Sequence, residues 1–224
     1  MELGSAVNVS LTMAFTSLKR WPFVNMENYR KGWREQILFL LLIGYFVFGY
    51  LPLAAFMGSK GFYHVVGFEW ERKIPFMVPF ILGYSLVYAS IFLIYWVIPS
   101  WEIFKKMVWG FFWMTTIHYL FFYFFPVKMI WRPEIVEVHT FFDWLARFIF
   151  SLDNTYNCFP SLHVAYPTLA TVLAWRFIPK HRYFFMSLAF ITAVSVVLVK
   201  QHYILDAVAG AAIAIVVGVL IPQN

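Results

Sequence analysis

Charge is what this chain has least of. Only 12% of its 224 residues are Asp, Glu, Lys or Arg, against 62% hydrophobic and 22% aromatic. A soluble domain carries roughly twice that share of charge, and a water-facing globule of this size has no interior large enough to hide so much apolar surface. Cysteine occurs once, as Cys158, which excludes an intrachain disulfide framework. Alternating ten-residue apolar patterns are missing, which argues against a membrane barrel, and no internal repeat is visible. The eleven acidic residues form no clustered carboxylate site in the sequence. The formal net charge of +6 points to anionic lipid headgroups as partners rather than to nucleic acid.

What is present is apolar sequence in runs of about 20 residues, enough to cross a bilayer as helices. Six such runs lie at roughly 37–57, 77–98, 107–126, 161–178, 184–201 and 203–221. The expected fold is therefore all-α, a polytopic membrane helix bundle with six transmembrane helices over residues 37–224. Residues 1–36 precede it as a cytoplasmic or interfacial segment. Its stretch from about 10 to 35 reads equally well as an interfacial helix or as a partly ordered leader. Tryptophans such as Trp33, Trp70, Trp101, Trp131, Trp144 and Trp175 fall near span ends, where indole settles at the headgroups. The loop 127–160 contains "HTFFDWLARFIFSL" (139–152), whose Phe141, Trp144, Leu145, Phe148, Ile149 and Leu152 share one helical face. Asp143 and Arg147 form an i,i+4 pair on another face, and a helix lying at the interface is expected. Basic residues number ten on the side of the N-terminus and seven on the other under this topology, which places both termini in the cytoplasm.

Polar side chains at membrane helix ends are expensive and usually mark function. Three groups share the extracytoplasmic side of this topology. In "VKMIWRP" (127–133), Lys128 and Arg132 are four apart; they suit an anion, phosphate in particular, or equally are cations snorkelling to the interface. In "NTYNCFPSLHVAYP" (154–167), Ser161 is placed to cap a helix whose first turn holds His163. In "VKQHYILDAVAG" (199–210), His202 and Asp206 have i,i+4 spacing, with Lys200 beside them. A carboxylate against an imidazole fixes its tautomer and frees the other nitrogen to act as base or nucleophile. Taken singly, each group also reads as a structural contact, as His118 does. Together they supply two histidines and several cations around one pocket, which is what phosphoryl transfer through a phosphohistidine requires.

These residues resemble the type 2 phosphatidic acid phosphatase superfamily of integral-membrane lipid phosphatases and phosphotransferases. The resemblance runs from about Lys128 to Gly210. Pro160-Ser161-Leu162-His163 is similar to the motif Pro-Ser-x-His, and Ser195, His202 and Asp206 fit the motif Ser-Arg-x5-His-x3-Asp. Lys128 with Arg132-Pro133 resembles Lys-x6-Arg-Pro with a shortened spacing. The resemblance implies His202 as nucleophile, Asp206 as its orienting partner, and His163 as general acid and then base. It implies phosphate contacts from Lys128, Arg132 and Ser161, and a metal-independent, cofactor-free reaction. Val196 stands where the motif has arginine, and Lys200 is the candidate for the missing charge; Leu162 stands in place of the usual glycine. "FPSLHVA" and "KQHYILDAVAG" look more like the inositol phosphorylceramide synthase branch, so hydrolysis and transfer to an acceptor both stay open. The expected substrate is a lipid phosphate or pyrophosphate acted on at the extracytoplasmic face. A small transporter or a purely structural scaffold are the readings from other classes. The loop 58–76, with Lys60, His64, Glu69, Glu71, Arg72 and Lys73, faces the proposed site.

Overall fold

In the computed structural model, residues 29–135 and 137–223 are described; the stretch from about 10 to 35 lies for the most part outside them. Seven α-helices follow in order: α1 Trp33–Lys60, α2 Ile81–Val97, α3 Trp101–Phe124, α4 Phe141–Leu152, α5 Leu162–Phe177, α6 Arg182–Leu198 and α7 Ile204–Leu220. Among the described residues no strand forms. The helix ends follow local chemistry. Ser100 Oγ accepts from Ile103 N–H at 3.3 Å, so α3 begins six residues before its apolar run and includes Glu102, Lys105 and Lys106. Thr140 and Asp143 cap α4 reciprocally, with Thr140 N–H donating to Asp143 Oδ2 at 2.8 Å and Asp143 N–H to Thr140 Oγ1 at 3.2 Å. Asp143 thereby turns back to the cap instead of toward Arg147.

Three helices are long and apolar enough to cross a membrane: Trp33–Lys60, Val78–Val97 and Pro179–Leu198. The apolar α7 stops just short in length. Of the other two predicted spans, α3 is diluted by Trp109, Trp113, Thr115, Thr116, His118 and Tyr119. The 16-residue α5 rises only about 24 Å at 1.5 Å per residue. Yet α5 is the hub of the bundle, packed against α6, α7, α2 and α3, and most of its residues are buried. Around it the outer helices turn large side chains outward: Phe48, Trp96, Phe124, Phe190 and Leu220 are all at least 70% exposed. A continuous surface of that kind is what a bilayer covers. On α4, Ala146 and Ile149 face inward while Phe141, Trp144, Phe148 and Leu152 form an exposed apolar row.

At one end of the bundle the connecting segments are stitched together. His64 N–H donates to Pro126 O (2.8 Å) and Lys128 N–H to His64 O (3.1 Å), tying the segment after α1 to the one after α3. Met129 N–H donates to Thr155 O and Cys158 N–H to Val127 O, adding the α4–α5 connection. Tyr203 Oη, at the start of α7, donates to Lys128 O and accepts from Ile130 N–H.

Candidate active site

The stitched end holds a buried chain of four titratable side chains. His163 stands at the second position of α5, where Ser161 is the N-cap and its Oγ accepts from Val164 N–H at 3.3 Å. His202 sits in the α6–α7 turn, before the α7 N-cap Tyr203. The i,i+4 spacing of His202 and Asp206 is therefore not that of two residues on one helical face. The helix starts only at Ile204, and the two meet because Asp206 folds back as a cap. Its Oδ2 accepts from Tyr203 N–H (3.0 Å) and lies 3.3 Å from His202 Nδ1. Across the bundle, Ser161 N–H donates to Asp206 O at 3.0 Å, fixing the start of α5 against α7.

His163 has a carboxylate of its own, which the sequence reading did not pick out. Its Nε2 lies 3.2 Å from Asp153 Oδ2 and 2.7 Å from Tyr84 Oη. Tyr84 donates to the same carboxylate oxygen, and Tyr50 Oη donates to Oδ1 at 2.7 Å. With carboxylates at His163 Nε2 and His202 Nδ1, the remaining nitrogens face each other: His163 Nδ1 to His202 Nε2 is 2.9 Å. One proton lies between them, since two lone pairs at that distance repel. Burial alone would raise the Asp153 carboxyl; the His163 ring and the two tyrosine hydroxyls outweigh it and hold it down at about 2. Burial first, and the neighbouring His163 second, push His202 down to about 3. His202 is thus neutral at neutral pH.

The predicted cations are placed differently from one another. Arg132 Nη1 donates to Gln201 Oε1 (2.6 Å) and to Asp153 O (2.8 Å), with its guanidinium over the Phe150 ring. It thus bridges the turns carrying His202 and Asp153. Lys128 stands on an extended segment, its ammonium 5.0 and 5.1 Å from the Tyr63 and Tyr156 rings. Lys200, at positive φ in the α6–α7 turn, donates to Glu71 O at 2.7 Å. Glu71 comes from the 58–76 loop and is buried; its carboxylate accepts from Phe68 N–H (3.0 Å) and from Ile204 N–H (2.8 Å), capping α7 from outside. Ser195 is buried against Gly83, and Val196 contributes its carbonyl, which accepts from both Gln201 and His202 N–H. Of the residues the sequence reading missed, Tyr84 and Tyr50 reach Asp153 over separations of 69 and 103 residues, leaving no local spacing to read, while Asp153 stands ten residues before His163 in no helical register with it. Their one signal is the scarcity of acidic residues in so apolar a chain.

Cys158, His202 and Asp206 bring potential ligand atoms within 4.8 Å of one another. The thiol and one carboxylate oxygen of this set are already engaged, while Asp206 Oδ1 has no hydrogen-bond partner among the described residues. The Cys158 thiol donates to Thr155 O at 3.0 Å, and burial, then the nearby carboxylates, push its pKa well up, away from the thiolate a metal would need. Asp206 Oδ2 is already shared by two donors.

No curated protein and no solved structure matches the chain. The model of the PAP2 superfamily, the type 2 phosphatidic acid phosphatases, matches residues 64–220, which include His163, His202 and Asp206 as well as Asp153. With three apolar helices, two carboxylate-backed histidines at one end of the bundle, and this match over more than two thirds of its length, the chain belongs to the PAP2 superfamily of phosphoester enzymes.

Proposed function

We propose that the protein is a membrane lipid phosphatase working through a phosphohistidine without metal. The observation that carries this is the buried pair of imidazoles, each with a carboxylate on its outer nitrogen and its inner nitrogen turned to the other. In the first step His202 Nε2 attacks phosphorus, the bond from phosphorus to the lipid oxygen breaks, and His163 Nδ1 gives that oxygen its proton. In the second step His163, now neutral, takes a proton from water, whose oxygen attacks phosphorus as the Nε2–P bond breaks. At 2.9 Å a phosphoryl group does not fit between the rings, so they separate when substrate binds. Arg132, the Ser161 turn at the N-terminus of α5 and Lys128 offset charge on the transferring group. On this reading six helices span and the site faces the extracytoplasmic side with both termini inside, a topology that the ten-to-seven bias of basic residues supports.

A second reading is transfer of a phosphate-bearing headgroup, such as phosphoinositol, to a lipid or polyol hydroxyl. It is favoured by the burial of both histidines, at 7% and 2% exposure, which keeps water from competing, and by the strings "FPSLHVA" and "KQHYILDAVAG". The test is release of inorganic phosphate by the purified protein in detergent, with chelator, across lipid phosphates and pyrophosphates. We expect release by the wild type, none by His202→Ala, and an acid-labile phosphoprotein in a quenched reaction. Phosphodiester formation only when an acceptor is added selects transfer. Unchanged turnover in His202→Ala refutes the phosphohistidine.

A further inference from the structure

We propose that Asp153 is a positioning residue for His163, so that the site works as two opposed Asp–His pairs in place of one. This inference rests on the phosphoryl-transfer reading. Asp153 is an expensive residue to bury. It is 4% exposed, lies at the end of α4, and in such surroundings a carboxylate survives only where donors satisfy it. The protein provides three: Tyr50 on Oδ1, and Tyr84 with His163 Nε2 on Oδ2. Two tyrosines, from α1 and α2, and a histidine from α5 thus converge on one side chain. Its backbone is held as well, because Asp153 O accepts from Arg132 and Asp153 N–H donates to Ile149 O.

That anchorage gives His163 a fixed assignment of its nitrogens. A carboxylate accepting at Nε2 keeps the proton there and stabilises the ring when a second proton arrives. The second proton must sit on Nδ1, the nitrogen aimed at His202, where the leaving oxygen of a substrate would be. Without Asp153, Nε2–H has only the Tyr84 hydroxyl, which brings no negative charge, and the ring is free to hold its proton on either nitrogen. Asp206 does the same for His202 but with the opposite result: the ring stays neutral and keeps its Nε2 lone pair. The two carboxylates therefore divide the roles, one backing a proton donor and the other a nucleophile. Asp153 does not touch the reacting atoms; it acts through His163.

A double-mutant cycle in kcat, on the lipid phosphate that the wild type hydrolyses fastest, tests this. Asp153→Asn is expected to lower kcat about 10²–10³-fold with KM within about twofold, the size of a lost general-acid contribution. In a His163→Ala background, the same change is expected to lower kcat less than about threefold, because its partner is already gone. Equal losses in both backgrounds overturn the proposal and leave Asp153 a purely structural residue. Tyr84→Phe, which leaves the carboxylate in place, is expected to cost less than Asp153→Asn. If Asp153→Asn does not fold, Tyr50→Phe, which removes the donor on Oδ1, goes through the same cycle: a loss in kcat that disappears in the His163→Ala background is expected, and equal losses overturn the proposal. The bond is also read without substrate: a downfield imidazole N–H proton signal, lost in His163→Ala, is expected to be lost in Asp153→Asn, and its persistence there refutes the contact. If the wild type turns over no substrate while this signal is present, the phosphoryl-transfer reading has failed, not the pairing of Asp153 with His163.

Discussion

Gly210 is the position at which a single methyl group tests the site most directly. A Cβ at Gly210 would stand 3.0 Å from Ser161 C and 3.1 Å from Ser161 N, and closer still to its carbonyl oxygen. All three are backbone atoms, so nothing can rotate away; α7 and the start of α5 have to part by about 1 Å to restore ordinary contact distances. The displaced segment carries His163 two residues on, and the bond from Ser161 N–H to Asp206 O lies in the same seam. The structural cost of Gly210→Ala is about 1–3 kcal/mol, as for other overpacked interiors. The catalytic cost is larger, since misplacing reacting groups by about 1 Å loses about 10²-fold in rate. Gly218→Ala is the control: on the same helix its Cβ meets Val172 and Leu169 side chains at 2.6–3.1 Å, far from the histidines. Thermal unfolding in detergent and initial rates on a lipid phosphate should show both variants destabilised and only Gly210→Ala crippled. A Gly210→Ala protein with wild-type kcat would refute the claim that this backbone approach sets the spacing of the two histidines on which the proposed reaction depends.

Other tests follow from the same geometry. Because His202 is held down at about 3, it stays neutral well below pH 6, so the acid limb of kcat/KM should fall far below that of a free imidazole; a limb near pH 6.5 contradicts this. The same depression makes the unfolded chain bind one more proton than the fold between about pH 3 and His's ordinary 6.5. His202's own contribution to stability should therefore rise with pH across that window and level off above it, as the difference in denaturation midpoint between wild type and His202→Gln at fixed detergent would show. Glu71→Ala removes two bonds to backbone N–H groups and should cost about 1–3 kcal/mol, with kcat falling as the turn holding His202 loosens; an unchanged melting temperature counts against the cap. Arg176 donates to the carbonyls of Gly218, Val219 and Ile221 at the far end of α7, so Arg176→Ala should lower thermal stability while leaving turnover of the surviving folded protein intact.

The membrane helices were legible because their signal is compositional. Runs such as 37–57 and 77–98 are apolar through and through, and the ends fell within a few residues of α1 and of the segment Val78–Val97. Their rotation was not legible, since a helix apolar on all sides has no preferred face until its neighbours exist. The short α5 shows the consequence: least suited by length to span alone, it is the most enclosed helix in the bundle. His163, Ser161, His202 and Asp206 could be singled out because each sits at or just before a helix start, and polar groups at such positions stand out in apolar sequence. How His202 and Asp206 meet could not, as it depends on where α7 begins.

The sequence by itself determined which segments are apolar enough to enter a bilayer and which few side chains are too polar to be there without a purpose. Tertiary structure alone decided their partners: Lys200 to Glu71 O, Arg132 to Gln201 and Asp153, and Asp153 to His163. The reason is physical. Burying an apolar run depends on its own residues, whereas satisfying a buried charge depends on donors that the fold brings from elsewhere in the chain.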